Sequence, residues 1–297
     1  MGLLRSIPKA RACPRSDSSP HSSRSEPPRS SRYALLGAGP VAVSALRLAI
    51  AAVIALAVIG SLERLPAKRE TGLAIAGIAL AVHFAAWIGS LAYTSVALST
   101  LLVTTTPIWT ESYDAIRVRR LPSKGFAASL VLALVGVALV AFARPAVQAP
   151  VAGHVPLGNA LALLGSFAIG AYLLIVRDAG GGIGTRRIVA RTYGWAAVAL
   201  VIATLAVHQG PPPLANGTSW AGILAMAFVS QAIGHTALNA ALRDFSPSIV
   251  ALTTLLEPVV AAALAAAIFH ETLSWQAAIG GGAILVAIGS TLRRHSL

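Results

Sequence analysis

The chain has 297 residues, 56% of them apolar and only 11% charged, with a formal net charge of +13 and a mean hydropathy of +0.75. Soluble domains carry roughly 25% charged residues, so an ordinary soluble fold is excluded. Ala, Val, Leu and Ile come in runs of about 20 residues, the length that crosses a hydrocarbon core of about 30 Å, which predicts an all-α polytopic membrane protein.

The basic excess does not point to nucleic acid, because Lys and Arg sit in short loops between apolar runs rather than on one helix face. Such loop charge reports orientation in a membrane. A single cysteine, Cys13, excludes a disulfide framework and any Cys-based metal or cluster site. No cofactor or metal site is expected. Twenty Arg against three Lys, with abundant Ala, resembles GC-rich coding and suggests a bacterial inner (plasma) membrane.

Residues 1–32 stand apart. They hold nine Ser, five Pro, seven Lys or Arg and two acids, a composition that cannot bury enough apolar surface to fold. They contain no apolar stretch of secretory length; their Arg- and Ser-rich character overlaps with an organelle transit peptide, which stays open as an alternative. Nine apolar spans follow, predicted at 41–60, 71–92, 95–114, 125–143, 157–176, 188–208, 219–239, 247–268 and 275–292. In lipid each must be helical, since its backbone groups have no water to bond. Turn chemistry such as Gly180-Gly181-Gly182 and Pro211-Pro212-Pro213 separates them.

Alternate loops carry Arg64, Lys68, Arg69, Arg117, Arg119, Arg120, Lys124, Arg177, Arg186, Arg187, Arg243, Arg293 and Arg294, against Arg144 alone on the other side. By the positive-inside rule the basic loops and the C-terminus are cytoplasmic. Nine spans then leave the basic tail outside. A tenth helix ahead of Tyr33 would remove the conflict.

The chain repeats itself. Ser95 opens a span with Pro107 twelve residues later, and Ser246 does the same with Pro258. The offset of 151 residues spans an odd number of helices, so the copies point oppositely through the membrane. Inverted repeats of this kind mark transporters whose substrate site lies near the midplane between the halves.

Gly234-His235, Asn239 to Arg243, Ser246-Pro247-Ser248, Leu256-Glu257-Pro258-Val259, Phe269 to Leu273 and Gly280 to Leu285 resemble the second EamA repeat of the drug/metabolite transporter superfamily. Tyr93-Thr94-Ser95 through Pro107 resembles the matching part of the first. The resemblance implies five plus five helices, cytoplasmic termini and a central cavity open alternately to each side. It divides the chain into a first repeat at 33–144, lacking its first helix, and a second at 155–294. Leu36 to Pro40 leading into Arg47 resembles the junction of family helices one and two, which suggests a truncated or frame-shifted N-terminus. Arg120 departs from the pattern in the place that Glu271 holds in the other repeat.

Ionisable groups at membrane depth cost about 2.5–3.5 kcal/mol on insertion scales and are functional candidates by default. Glu257 lies near mid-span directly before Pro258, which frees a carbonyl one turn back and can break the helix, as Pro107 can in the first repeat. Glu257 is a candidate for substrate or proton binding, or for supporting the kink. Gln231, His235 and Asn239 follow at i, i+4 and i+8 and share a helix face; His83, Trp87, Ser90 and Thr94 form the matching first-half stripe. These stripes suit a shared aqueous cavity or interhelical hydrogen bonds. His83 and His235 are candidates for proton coupling or fixed hydrogen bonding. Thr104, Thr105 and Thr106 can line a site or bond back to their own helix. Tyr172 can stack on a substrate or pack between helices. Arg47 can snorkel or bind an anionic group, snorkelling being the favoured reading; Glu111 and Asp114 are expected to pair at the interface beside Arg117, and Gly280 to Gly282 and Gly289 to pack helices.

The expected function is secondary transport, with export of small amphipathic metabolites such as amino acids and the lipid bilayer as the other partner; a homodimer is an open possibility. An intramembrane enzyme is the rival class, but His270-Glu271 lacks the second His of a zincin pattern and no Gly-x-Ser-x-Gly elbow occurs. A transport-inactive scaffold is the third.

Overall fold

The structure, a computed structural model, describes residues 38–59, 63–143, 154–260, 263 and 274–295. The polar tail, Arg144 and the segment from Phe269 to Leu273, with Glu271, lie outside these residues. The described residues form ten helical elements, in order: α1 Pro40–Ile59, α2 Ala67–Ser90, α3 Val96–Val103, α4 Thr106–Val118, α5 Lys124–Phe142, α6 Val155–Gly180, α7 Thr185–Ala206, α8 Gly217–Ala241, α9 Pro247–Val260 and α10 Trp275–His295. No strand occurs among the described residues.

Seven of these helices, α1, α2, α5, α6, α7, α8 and α10, are long and apolar enough to cross a membrane. The predicted spans 95–114 and 247–268 are not single uninterrupted helices in the described residues. The first divides at Thr104 and Thr105 into α3 and α4. The second passes through a 3₁₀ turn at Thr254–Leu256. Each break falls just ahead of a proline, whose ring displaces the carbonyl four residues back. Threonine hydroxyls satisfy neighbouring carbonyls: Thr106 Oγ1 donates to Val103 O at 2.9 Å, and Thr254 Oγ1 to Ala251 O at 2.7 Å. The hydroxyls of Thr104 and Thr105 also bond back, to Leu101 O and Leu102 O.

The repeat is visible in the caps. Ser95 Oγ accepts from Leu98 N and Ser246 Oγ from Ile249 N, each starting the broken helix of its half. The copies run in opposite directions. Arg243, just before Ser246, shares a surface pocket with Arg186 and Arg187, whereas Thr94, before Ser95, bonds Asn159 at the far end of α6. Two helix pairs related by the internal twofold cross in the bundle, α1 on α7 and α5 on α10. At the second crossing a side chain on Gly136 or Gly280 would meet the other's carbonyl at 2.6 Å, so glycine is required for the helices to approach this closely. Gly282 and Gly289 face open space instead.

One core joins α1, α2, α6 and α7 through Leu48, Leu80, Phe84, Tyr172 and Tyr193. A smaller one joins α5, α9 and α10 through Val137, Leu255 and Ile284. Ion pairs between the repeats gather at the basic end. Arg177 grips both oxygens of Asp114 at 2.7 and 2.9 Å, Arg117 reaches Asp178, Arg187 reaches Glu63, and Arg191 reaches Glu70 and the Glu63 carbonyl. The expected pairing of Asp114 with Arg117 is therefore corrected: both residues cross to α6, because α4 packs against that helix. Glu111 takes no part in these pairs. At the opposite end the repeats meet through uncharged groups. Gln209 Oε1 caps α1 by accepting from Val41 N and Ala42 N, and Thr94 Oγ1 donates to Asn159 Oδ1.

Candidate functional site

Between the repeats lies a cavity of about 80 Å³ lined by residues of both, among them Arg47, His83, Trp87, Thr104, His235 and Glu257. It is small beside the roughly 300–1,000 Å³ of ligand sites, so the centre of the bundle is contracted in this conformation.

Arg47 organises it. The expected snorkelling is corrected: Arg47 is only 2% exposed because α1 turns it inward onto α8. Its Nε donates to Gln231 Oε1 at 3.0 Å and one terminal nitrogen donates to Ser230 Oγ at 3.0 Å. The guanidinium lies 4.0 Å from the centre of the Phe84 ring, a cation–π arrangement that gains strength away from water. Among the described residues Arg47 forms no ion pair. Glu257 acts on it electrostatically and lines the same cavity with an exposed side chain. A cation and a carboxylate thus face one space without touching.

Aromatic rings form the adjoining wall. His83 stacks on Trp87 with centroids 5.8 Å apart, and Phe84 meets His235 edge-on at 5.2 Å. His83 Nδ1 is held by Gly165 O at 2.8 Å. The indole N–H of Trp87 and the side-chain amide nitrogen of Gln231 are buried with no hydrogen-bond partner among the described residues. Buried donors of this kind cost about 1–3 kcal/mol until an acceptor arrives, and one of the two belongs to a cavity-lining residue.

The sequence-derived site residues therefore divide. Glu257, His235, His83, Trp87 and Thr104 line the cavity. Gln231 stands behind it, positioning Arg47. Ser90 is turned away and bonds Trp87 O and Ser99 Oγ, both at 2.6 Å. Tyr172 and Asn239 bond each other at 2.8 Å between α6 and α8, so neither contributes to the lining. The three-residue stripe on α8 fails as a single surface because Met226–His235 is a π-helix, whose wider turns shift residues four apart off a common face. Tyr193 fastens this segment, donating from its hydroxyl to Gln231 O at 3.2 Å.

Thr106 lines the cavity as well, one of the two roles expected of it, whereas Ser230 and Thr254 were missed as lining residues and Arg47 was set aside in favour of snorkelling. Arg47 carries the one signal that could have found it, being the only charge in the apolar run 40–59. Among the described residues no group of three or more His, Cys, Asp or Glu could hold a metal ion.

Comparison with known proteins agrees with this architecture. The sequence pattern of the EamA-like transporter family matches residues 29–142 and 156–293. No curated protein matches the chain. A solved structure described only as the crystal structure of a protein is similar in fold, with a TM-score of 0.72 at 16% identity over 88% of this chain and 91% of that one.

Proposed function

The chain belongs to the EamA-like transporter family, membrane transporters of the drug/metabolite type, and from that premise we propose that it exports small zwitterionic metabolites such as amino acids. The observation that supports this most is that Arg47 and Glu257, neither in an ion pair among the described residues, line one cavity between the repeats. Arg47 would receive a substrate carboxylate through the bidentate geometry that guanidinium favours. Glu257 would receive the ammonium group. Apolar substrate parts would lie against Trp87, Ile169 and Leu173, which line the same space.

Transport proceeds by rocking of the two repeats about this midplane site, driven by a substrate or proton gradient. The ion pairs of the basic end hold the repeats together there, and the uncharged contacts hold the opposite end. With the basic end cytoplasmic by the positive-inside rule, in a bacterial inner membrane, loosening those pairs admits substrate from the cell. Proteoliposomes tested for counterflow of a radiolabelled amino-acid panel provide the test. Glu257→Gln and His235→Ala should each lower flux, by about 10- to 100-fold where a charged hydrogen bond is lost, while inserting normally. Wild-type flux from both would overturn the assignment.

A further inference from the structure

A second concavity lies on the outside of the bundle, away from the central cavity. It is a groove of about 700 Å³ between α2, α4 and α6, and its wall includes Trp109, Tyr113, Phe167 and Ile175. Trp109 and Phe167 meet edge to face, with centroids 5.7 Å apart at 84°. Trp109 is fixed by its N–H on Ser166 Oγ at 3.1 Å. Phe167 is 54% and Tyr113 45% exposed, an apolar surface suited to hydrocarbon and not to water. At its basic end α2 and α6 close the groove, where a side chain on Gly72 would meet Ala179 at 2.7 Å.

The rim at that end is cationic. Lys68 and Arg69 line the groove, are exposed, and form no ion pair among the described residues. The groove's one carboxylate, Asp178, is already taken by Arg117 and Arg177. The two free cations therefore sit over an aromatic trough that runs to membrane depth.

We propose that this groove is a binding site for an anionic phospholipid of the leaflet facing the basic end. Lys68 and Arg69 hold its phosphate, and one acyl chain lies along Trp109, Phe167 and Ile175. Charge complementarity selects the occupant: a basic pocket between helices at headgroup level favours anionic lipid, and an apolar trough alone would not distinguish lipids. The site is independent of the central cavity and of what that cavity carries.

The test titrates the purified full-length chain in detergent with phosphatidylglycerol or phosphatidylcholine and counts bound lipids by native mass spectrometry. Phosphatidylglycerol should bind about 30-fold more tightly than phosphatidylcholine, roughly fivefold for each cation. The Lys68→Gln/Arg69→Gln double variant should lose that preference, whereas Arg119→Gln/Arg120→Gln, which removes equal charge elsewhere at the same end, should keep it. Ala171→Trp, which fills the groove without changing charge, should weaken binding of the lipid. Equal loss from both double variants would mean general surface charge, and tight binding of glycerol phosphate alone would mean a small-anion site. A lipid-independent dimer blocked by Ala171→Trp would mean that a second copy covers the groove. Each of these three results, or the absence of any preference in the wild type, overturns the proposal.

Discussion

Helices α2 and α8 hold related places in the two repeats, each leading into a broken helix, yet the structure treats them differently. Half of α2's apolar window is buried, against 17% of α8's. The first is α-helical throughout and lies along α6 and α7. Glycines on α6 receive it and the turn that follows: a side chain on Gly165 would press on Trp87 of α2 at 3.3 Å, and one on Gly158 on the backbone of Tyr93 and Thr94, in the turn after α2, at 2.8–2.9 Å. The second carries a ten-residue π segment and leaves Phe228, Val229 and Ile233 50%, 63% and 67% exposed. Among the described residues no helix stands against α8 as α6 stands against α2. The polar groups follow the packing. On α2, His83 is tied to a neighbouring carbonyl; on α8, Gln231 and Ser230 are spent on the cavity's arginine. One helix is a strut and the other a wall that can move.

Arg47 is where strut and wall meet, between Phe84 and the pair Gln231 and Ser230, so its replacement should have the largest effect. Arg47→Ala should lower amino-acid counterflow at least about 100-fold, since it removes two charge-assisted hydrogen bonds and leaves the buried Gln231 carbonyl oxygen unmatched. Arg47→Lys should rescue little, because an ammonium lacks the planar fork that reaches both partners while lying on the ring. Full flux from Arg47→Lys would show that only charge matters.

The next effect separates the helices by packing. Gly158→Val should lower stability by about 1–3 kcal/mol through overpacking against the turn that ends α2, read as a fall in thermal unfolding temperature in detergent. Gly234→Ala on α8 meets only Val229 O, at 3.6 Å, and should be neutral or stabilise by up to about 1 kcal/mol as helix propensity rises. Equal destabilisation would erase the distinction between strut and wall.

A smaller contrast comes from the histidines. His83→Ala should reduce stability more than it reduces flux, and His235→Ala the reverse, measured on the same preparations. Least of all should Arg117→Ala matter: its pair with Asp178 is about half exposed, and such pairs contribute about 0–1 kcal/mol. Arg191→Ala should cost more, because that side chain is only 5% exposed against Glu70.

The architecture was legible in the sequence because its signals are periodic and redundant. Apolar runs gave the helices, and Ser95 with Pro107 against Ser246 with Pro258 gave the repeat. Glu257 and Thr104 were legible as cavity residues because a proline break needs polar groups beside it. Arg47 was misread because depth in a span says nothing about direction around it, and packing of α1 on α8 decides that direction. Ser90, Tyr172 and Asn239 carry the same chemistry as lining residues, but their partners come from distant helices, which spacing along one helix does not encode. The α8 stripe assumed 3.6 residues per turn, and the π segment breaks that assumption.

The central claim is that the space holding Arg47 and Glu257 is reached by water while the outer face of α8 meets lipid. It is tested most directly by cysteine labelling in a Cys13→Ser background, with Thr254→Cys for the cavity and Phe228→Cys for the outer face. A small charged thiol reagent added to the membrane-embedded protein should modify the Thr254→Cys variant and spare the Phe228→Cys variant. Labelling of the second without the first would contradict the account.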